Sequence, residues 1–589
     1  MNNFNSSNAE VIAVFPNMIR ISVNDILKFS DGKSINVGSY LRITDIEHCA
    51  LIAIIENFSI EAIDNKRKYI IEALPLGIIE DGVFIRGGDT LTIPPTGVEL
   101  ASETEIKKIF EESVHNINKF EFSTLLSNPR INVPVNGDRF FNKHLAVVGS
   151  TGSGKSHTIT KIIQSAIDSK AEKNTLNNSH IVIFDLHSEY LSAFPKANLL
   201  NSNNLVLPYW LLNSEELEEI LLDTGERDNY NQSAIFRMLV TENKKLKNPN
   251  AKLVYYDSPL YFDINEVLNA LYNIKNETVN AKNENRYMII DESYEIATDG
   301  KVVHTDGLEL SQKQRIDKYF QSRLDFYPTK SQHITSGSYA DKSLDKFISR
   351  FESKINQDRL DFLFGPAIKS ATFESTLQNL LGYLEEKSNV TIIDLSGVPF
   401  EVLSITVSLI SRLLFEYGYI YKVIRTKAGE QFNTDTPLLL VYEEAHQYVP
   451  KSDLVKFRAS KLSIERIAKE GRKYGVTLLL SSQRPSEISE TIFSQCSTFL
   501  AMRLTNPTDQ NYVSRLLPDT LGNLTAKLPT LGAGEALLIG EAVIMPSLIK
   551  IKRCHPEPSS NDIPYFQLWK NKWKNIDFGT LTKAWLKES

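Results

Sequence analysis

The sequence predicts an α/β protein: a mainly parallel sheet built around a phosphate-binding loop, interrupted by a helical insertion and preceded by a small β-barrel. Three observations carry this reading. The apolar run Leu145 to Val148 enters Gly149-Ser150-Thr151-Gly152-Ser153-Gly154-Lys155-Ser156. His157 to Ala166 then places Ile159, Ile162, Ile163 and Ala166 on one helical face, so the loop joins a strand to a helix. Further strand-like runs occur at Ile181 to Phe184, Val390 to Ile393, Leu438 to Val441, Val476 to Leu480 and Thr498 to Met502, with helical segments such as Val402 to Tyr417 between them. Such alternation is the signature of a parallel sheet covered on both faces. Before the loop, residues 9 to 115 read as short strands, among them Ile19 to Val23, Leu51 to Ile55, Tyr69 to Ala73, Val83 to Ile85 and Leu91 to Ile93. Gly32, Gly38, Gly77, Gly87-Gly88 and Pro94-Pro95 punctuate them, as in a small barrel.

The chain divides on this reading into a barrel (1–115), a first part of the core (116–204), a helical insertion (205–385), a second part of the core (386–563) and a tail (564–589). Residues 102 to 128 read as a helical connector. The insertion is more polar, with helices at Ser214 to Leu222, Asn265 to Leu271 and Ser311 to Ser322, a loop or helix end at Asn273 to Asn285, and a strand or two at its edges.

Composition bounds the function. A length of 589 residues suits about three or four domains, and 42% hydrophobic residues are ample for real cores. No apolar run reaches the ~18 residues of a membrane span, and the first ten residues lack the regions of a signal peptide. Cys49, Cys496 and Cys554 are far apart and match no metal-ligand spacing, which suits a reducing cytoplasm. The net charge of −7 argues against a surface coated with DNA, so any nucleic-acid contact is expected to be local, as in a lined channel.

The chemistry starts at the loop. Its glycines let backbone N–H groups turn inward around phosphate oxygens, and the helix N-terminus adds partial positive charge. Lys155 is placed to reach the β- and γ-phosphates and Ser156 to ligate Mg2+. An ATPase of this kind also needs carboxylates at the end of a neighbouring strand. Four apolar runs end in acid: at Asp185, Asp291-Glu292, Asp394 and Glu443-Glu444. Asp291-Glu292 fits the local pattern but lies in the insertion, without sheet elements close behind it. Glu443-Glu444 is followed by Ala445-His446, then Gly471-Arg472-Lys473, then a strand into Ser481-Ser482-Gln483, which supplies acid, cation and polar sensor in one block. Glu443 stands where an Asp is usual in the metal position.

Together, Gly149 to Ser156, Asp185-Leu186-His187-Ser188-Glu189-Tyr190, Glu443 to His446, Gly471 to Lys473 and Ser482-Gln483-Arg484-Pro485 resemble the HerA branch of the HerA/FtsK superfamily of hexameric DNA translocases. The resemblance extends to Gly82–Gly97 in the barrel and Leu528–Glu535 near the end of the core. It implies a RecA-like core, a homohexamer with Mg2+ and ATP between neighbouring subunits, and double-stranded DNA in the central channel. On matching positions it makes Glu444 the catalytic glutamate, Glu443 the metal-side acid, Gln483 the γ-phosphate sensor and Arg472 the arginine offered to the neighbour's nucleotide. Asp185 and Glu189 match a family motif in which Leu186 and Ser188 replace Pro and Gly. The resemblance also implies a separately encoded effector on the barrel, a nuclease or a sirtuin-like NAD-consuming enzyme, the antiphage setting being the one favoured here. The competing reading is a ring scaffold whose nucleotide state gates a partner enzyme without DNA translocation.

Several residues admit two readings. The cations of 451–473 (Lys451, Lys456, Arg458, Lys461, Arg466, Lys469, Arg472 and Lys473) either face channel phosphates or form a solvated helix face. Arg139 is a second interface cation or a surface arginine. His446 serves the active glutamate or simply packs, and His157 covers the helix start. Tyr565, Trp569, Trp573 and Trp585 anchor the tail on a neighbouring subunit or on their own.

Overall fold

The computed structural model describes residues 8–586, apart from 16–17, 33–34, 45–49, 64–65, 81–82, 88–96, 170–174, 223–228, 291–293, 297–301, 305–306, 331–332, 384–385, 453–458, 517–521 and 561–562. At its centre is a ten-stranded sheet. From one edge its strands are Asn198–Leu200, Val390–Asp394, His180–Asp185, Leu438–Tyr442, Val476–Ser482, His144–Val148, Cys496–Ala501, Glu535–Gly540, Ser547–Ile551 and Ser123–Leu125. The first seven run parallel and the last three join antiparallel. His144–Val148 and Leu438–Tyr442 are buried at every position, as continuous apolar runs must be when both faces of a sheet are covered. The loop strand lies between Val476–Ser482 and Cys496–Ala501, with Val148 paired to both Ser482 and Ala501. Parallel register therefore brings Gly149, Asp185, Glu443 and Gln483 to one edge, the carboxyl ends of the strands, where ligands of such sheets bind.

Every core strand expected from the sequence is present. The helix after the loop is Lys155–Asp168, and the one after Val390–Asp394 is Phe400–Ala428, longer than the expected Val402 to Tyr417. The connector differs from expectation. Its helix is short, Glu103–Glu111, and Ser123–Leu125 then joins the edge of the core sheet.

The N-terminal strands form one seven-stranded antiparallel sheet. Its two long members, Ala50–Ile63 and Lys66–Glu80, pair with irregularities at Ile52/Ala53 and Ile55/Asn57, which bend the sheet. The first and last strands in the sheet order, Ala9–Phe15 and Gly97–Leu100, approach each other without pairing, so the described residues form an open half-barrel. The expected strand at Leu91 to Ile93 lies outside the described residues.

The insertion is not purely helical. Beside helices Ser214–Leu221, Asn229–Lys247, Ile264–Asn276, Gln312–Gln321, Asp345–Ile355 and Phe373–Leu380 it holds a four-stranded antiparallel sheet and a two-stranded one. The segment Asn273 to Asn285, expected as a loop or helix end, holds the end of helix Ile264–Asn276 and then a hairpin of Thr278–Asn280 and Asn283–Tyr287. The apolar run before Asp291-Glu292 thus leaves this small sheet and not the central one; the pair itself lies outside the described residues.

One buried ion pair ties insertion to core. Glu216, in the first turn of Ser214–Leu221, closes a capping box with Asn213. It also accepts from Arg412 Nη2 at 2.7 Å and Ser408 Oγ at 2.7 Å on the long helix Phe400–Ala428. Glu216 is 1% exposed, so its removal strands the Arg412 charge in a largely dry setting. Glu216→Ala is expected to destabilise the fold by about 3 kcal/mol, seen as a lower apparent Tm in a thermal melt.

Candidate nucleotide-hydrolysis site

A cavity of about 710 Å3 opens at the carboxyl edge of the sheet, and Lys155, Ser156, Glu189, Glu443, Glu444 and Gln483 all line it. The loop is shaped by its glycines. A Cβ on Gly149 would stand 2.6 Å from Ser153 Oγ and 2.8 Å from Met502 Cβ. Gly154 has φ 97°, a left-handed value, and a Cβ there would meet Gly534 N at 3.1 Å. Ser150 N is committed to Arg503 O (2.7 Å) and Ser153 N to Ser150 O (3.1 Å), which fixes the loop. The first-turn amides of Lys155, Ser156 and His157 have no acceptor within the helix, and these residues line the cavity.

The acids face Lys155. Burial lowers the Lys155 pKa, and Glu444, Glu443 and Glu189 partly offset that. Glu443 is pushed up to about 9, chiefly by burial and then by the charges of Asp185, Glu189 and Glu444. Glu443 Oε2, Glu444 Oε2, Glu189 Oε2 and Ser153 Oγ are buried without hydrogen-bond partners. Glu444 Oε2 is 3.3 Å from His446 Nδ1 but outside hydrogen-bond geometry, and the same Nδ1 lies 3.2 Å from Ser482 Oγ. Burial lowers the His446 pKa, so the ring is held neutral beside the glutamate. Glu444 itself has φ 47°, an uncommon conformation for a side chain of its size and one that costs of order 1–3 kcal/mol. Gln483 is joined to the loop by Thr151, whose Oγ1 donates to Gln483 Oε1 at 2.7 Å.

This donor set fits a divalent cation arriving with a triphosphate. Carboxylate oxygens without donors crowd a lysine, while no group of three or more His, Cys, Asp or Glu among the described residues forms a metal cage of its own. A hard cation that keeps several waters and takes few protein oxygens suits that arrangement. Ser156 and Glu443, which both line the cavity, could hold it.

Because the Glu443 pKa is raised in the fold, the unfolded chain loses this proton first. The stability tied to it is complete below about 4.5 and drains as pH rises towards about 9. The ligand-free protein is therefore expected to lose Tm between pH 6 and pH 9, and Glu443→Gln to flatten that loss, measured by thermal melts across pH.

Asp185 is used locally. Its carboxylate accepts from the backbone N–H groups of His187 (3.2 Å), Glu189 (3.2 Å) and Tyr190 (3.0 Å) and so builds the turn that presents Glu189. Ser188 takes φ 57°, the left-handed value that a Gly would adopt freely, and its Oγ bonds Ser396 Oγ at 2.9 Å. The turn thus forms despite the Gly-to-Ser departure.

Arg472 lies elsewhere. It precedes Val476–Ser482, whose far end carries Gln483, so a strand of about 20 Å separates it from the cavity of its own chain. At that opposite edge it is exposed and joins Arg139 and Lys143 around Glu541. Lys143 bonds that carboxylate, and with the two arginines it holds its pKa low. Arg139 and Arg472 are thus brought together, away from Lys155. Other cations of the 451–473 cluster have local partners: Lys451 with Glu490 (2.6 Å), Arg466 with Glu416 (3.1 Å) and Lys469 with Glu465 (3.7 Å), the pattern of a solvated face. Lys456 and Arg458 lie outside the described residues.

The sequence reading missed one wall of the cavity. Lys550, Lys552, Arg553 and Glu557 line it, and Ser560 Oγ meets His157 Nδ1 at 3.4 Å. No motif marks this segment; an alternating run near the end of the core is its only signal.

Comparison with known proteins now fits the geometry. Residues 120–414, half of the chain, match the family model described as the central domain of the helicase HerA. The chain belongs to the HerA helicase family. A probable helicase of Methanocaldococcus jannaschii is 26% identical over 508 residues, covering 84% of this chain and 82% of that protein. A probable DNA double-strand break repair helicase HerA from the same organism is 23% identical over 549 residues, covering 92% and 96%. Among solved structures, VirB4 of Thermoanaerobacter pseudethanolicus aligns with 77% of this chain and 99% of its own at 12% identity and a TM-score of 0.44. This HerA-type protein is accordingly an ATP-using P-loop ATPase of the helicase class. Among the described residues no helix is long and apolar enough to cross a membrane.

Proposed function

We propose that this HerA-type ATPase works as a homohexameric, Mg2+-dependent double-stranded DNA translocase whose active sites are shared between neighbours. The observation that carries the reading is the split of its charged residues. Lys155, Ser156, Glu443, Glu444 and Gln483 converge in one cavity, while Arg472 and Arg139 sit exposed at the opposite edge of the same sheet. An arginine so placed serves a site only in another copy. In the proposed cycle Lys155 and the first-turn amides bind the phosphates. Ser156 and Glu443 would hold Mg2+, which would supply positive charge to the phosphates. Glu444 accepts the proton of the attacking water, and Gln483, tied to the loop through Thr151, reads the γ-phosphate. Arg472 of the neighbour stabilises the developing charge.

The tail supports assembly. Its helices Tyr565–Trp569 and Phe578–Trp585 expose Phe566, Trp569, Phe578 and Trp585, and Trp573 is exposed between them, an apolar set of the kind that marks an interaction surface. The N-terminal domain exposes Ile12, Phe15 and Ile60 on its sheet and Leu27 on the helix Ile26–Phe29, which suits docking of a separately encoded effector, a nuclease or a NAD-consuming enzyme in antiphage defence. The DNA substrate is proposed from the relatives, several of which are named as DNA double-strand break repair helicases.

The test is ATP turnover with and without double-stranded DNA across a salt series. Stimulation that fades as salt rises is expected of a protein that tracks phosphates. Turnover indifferent to DNA, with no DNA binding at low salt, would overturn translocation in favour of an ATP-gated scaffold.

A further inference from the structure

One wall of the cavity is a strap formed by residues 551–560. It begins at the loop, where Gly534 N donates to Ser153 O and Ile551 N to Gly534 O, both at 2.9 Å. It then runs beside the helix Lys155–Asp168. Gln164, nearly three turns along, holds it from both sides: its Nε2 donates to Pro556 O at 2.8 Å, and its Oε1 accepts from His555 N at 3.0 Å. Beyond that point Ser192 Oγ donates to Glu557 O and Ser559 N to Glu189 O, both at 2.9 Å. The strap therefore bridges the loop helix and the Asp185 turn.

Its cations differ in their commitments. Lys550 donates to Ala533 O at 2.8 Å and pairs with Glu535 at 3.3 Å, and Lys552 pairs with Glu121 at 3.5 Å. Arg553 lines the cavity, is exposed, and makes no hydrogen bond or ion pair with the described residues. It falls between the level of Ser153 and the level of Gln164. Lys155, whose charge is coupled to Glu444, Glu443 and Glu189, serves the β/γ-phosphate side. What remains for Arg553 is the end of the nucleotide carrying the α-phosphate and sugar.

We infer that Arg553 is a nucleotide-binding residue acting from within its own subunit on the α-phosphate and sugar end of ATP and ADP, and that Gln164 is the positioning residue that latches its strap. The inference rests on the nucleotide-site reading above. Both nucleotides share that end, so Arg553 contributes equally to each and does not distinguish substrate from product. Gln164 touches no nucleotide and works only through the strap.

The test uses the intact chain with ADP and with a non-hydrolysable ATP analogue as probes. Arg553→Ala is expected to weaken both by about tenfold, as loss of a charge-assisted contact does. KM for ATP should rise by a similar factor, with a smaller change in kcat. Arg553→Lys should recover part of the loss. Gln164→Ala should raise KM in the same direction, with the ADP and analogue affinities falling together. Wild-type affinity for ADP in Arg553→Ala, or a loss confined to the ATP analogue, would overturn the assignment. A wild-type chain that binds neither probe would instead overturn the nucleotide-site reading itself.

Discussion

Glu444→Gln is expected to lower ATP turnover by about 10²–10⁴-fold while leaving nucleotide binding in place. Gln has the shape of Glu and keeps an acceptor, so the buried position and its left-handed backbone should survive the change. What it loses is the ability to take a proton from water. His446 does not substitute for it: burial holds that ring neutral, but its Nδ1 is directed to Ser482 and Glu444. Steady-state turnover alongside equilibrium binding of an ATP analogue separates the two effects. Turnover within a fewfold of wild type would remove Glu444 from the catalytic role.

Arg472→Ala is expected to reduce turnover by about 10³-fold or more with little change in binding of the ATP analogue. Its distance from its own chain's Lys155 accounts for both halves of that expectation. On the proposed reading it stabilises charge that exists only in the transition state, and it does so in a neighbour. Arg139 stands beside it around Glu541, so Arg139→Ala should act in the same direction and more weakly. Steady-state turnover of each variant, compared with analogue binding, measures both effects.

Much of the catalytic edge was legible in the sequence. Its strands are short, almost wholly buried and mostly apolar, and Gly149, Asp185, Glu443 and Gln483 stand at or just past their ends, so motif order maps directly onto sheet register. The insertion was less legible. Asn283–Tyr287 is polar and mostly exposed, and it pairs through contacts such as Arg286 with Glu309, which leave no hydrophobic period to read. Ser188 stands where the family motif has Gly, yet the carboxylate of Asp185 holds three backbone amides and imposes the left-handed conformation regardless. The shared action of Arg139 and Arg472 on Glu541, and the placement of Arg553 on the cavity wall, depend on segments far apart in the chain, and no local pattern encodes them.

The central claim, a hydrolytic site completed by a neighbouring subunit, is tested most directly by mixing two inactive variants. Lys155→Ala chains lack a working loop but present Arg472; Arg472→Ala chains have the loop and lack the arginine. Mixed rings place intact loops beside intact arginines at some interfaces, so the account predicts ATP turnover in the mixture well above that of either variant alone. A mixture that assembles into rings and yet stays as inactive as its components would contradict it.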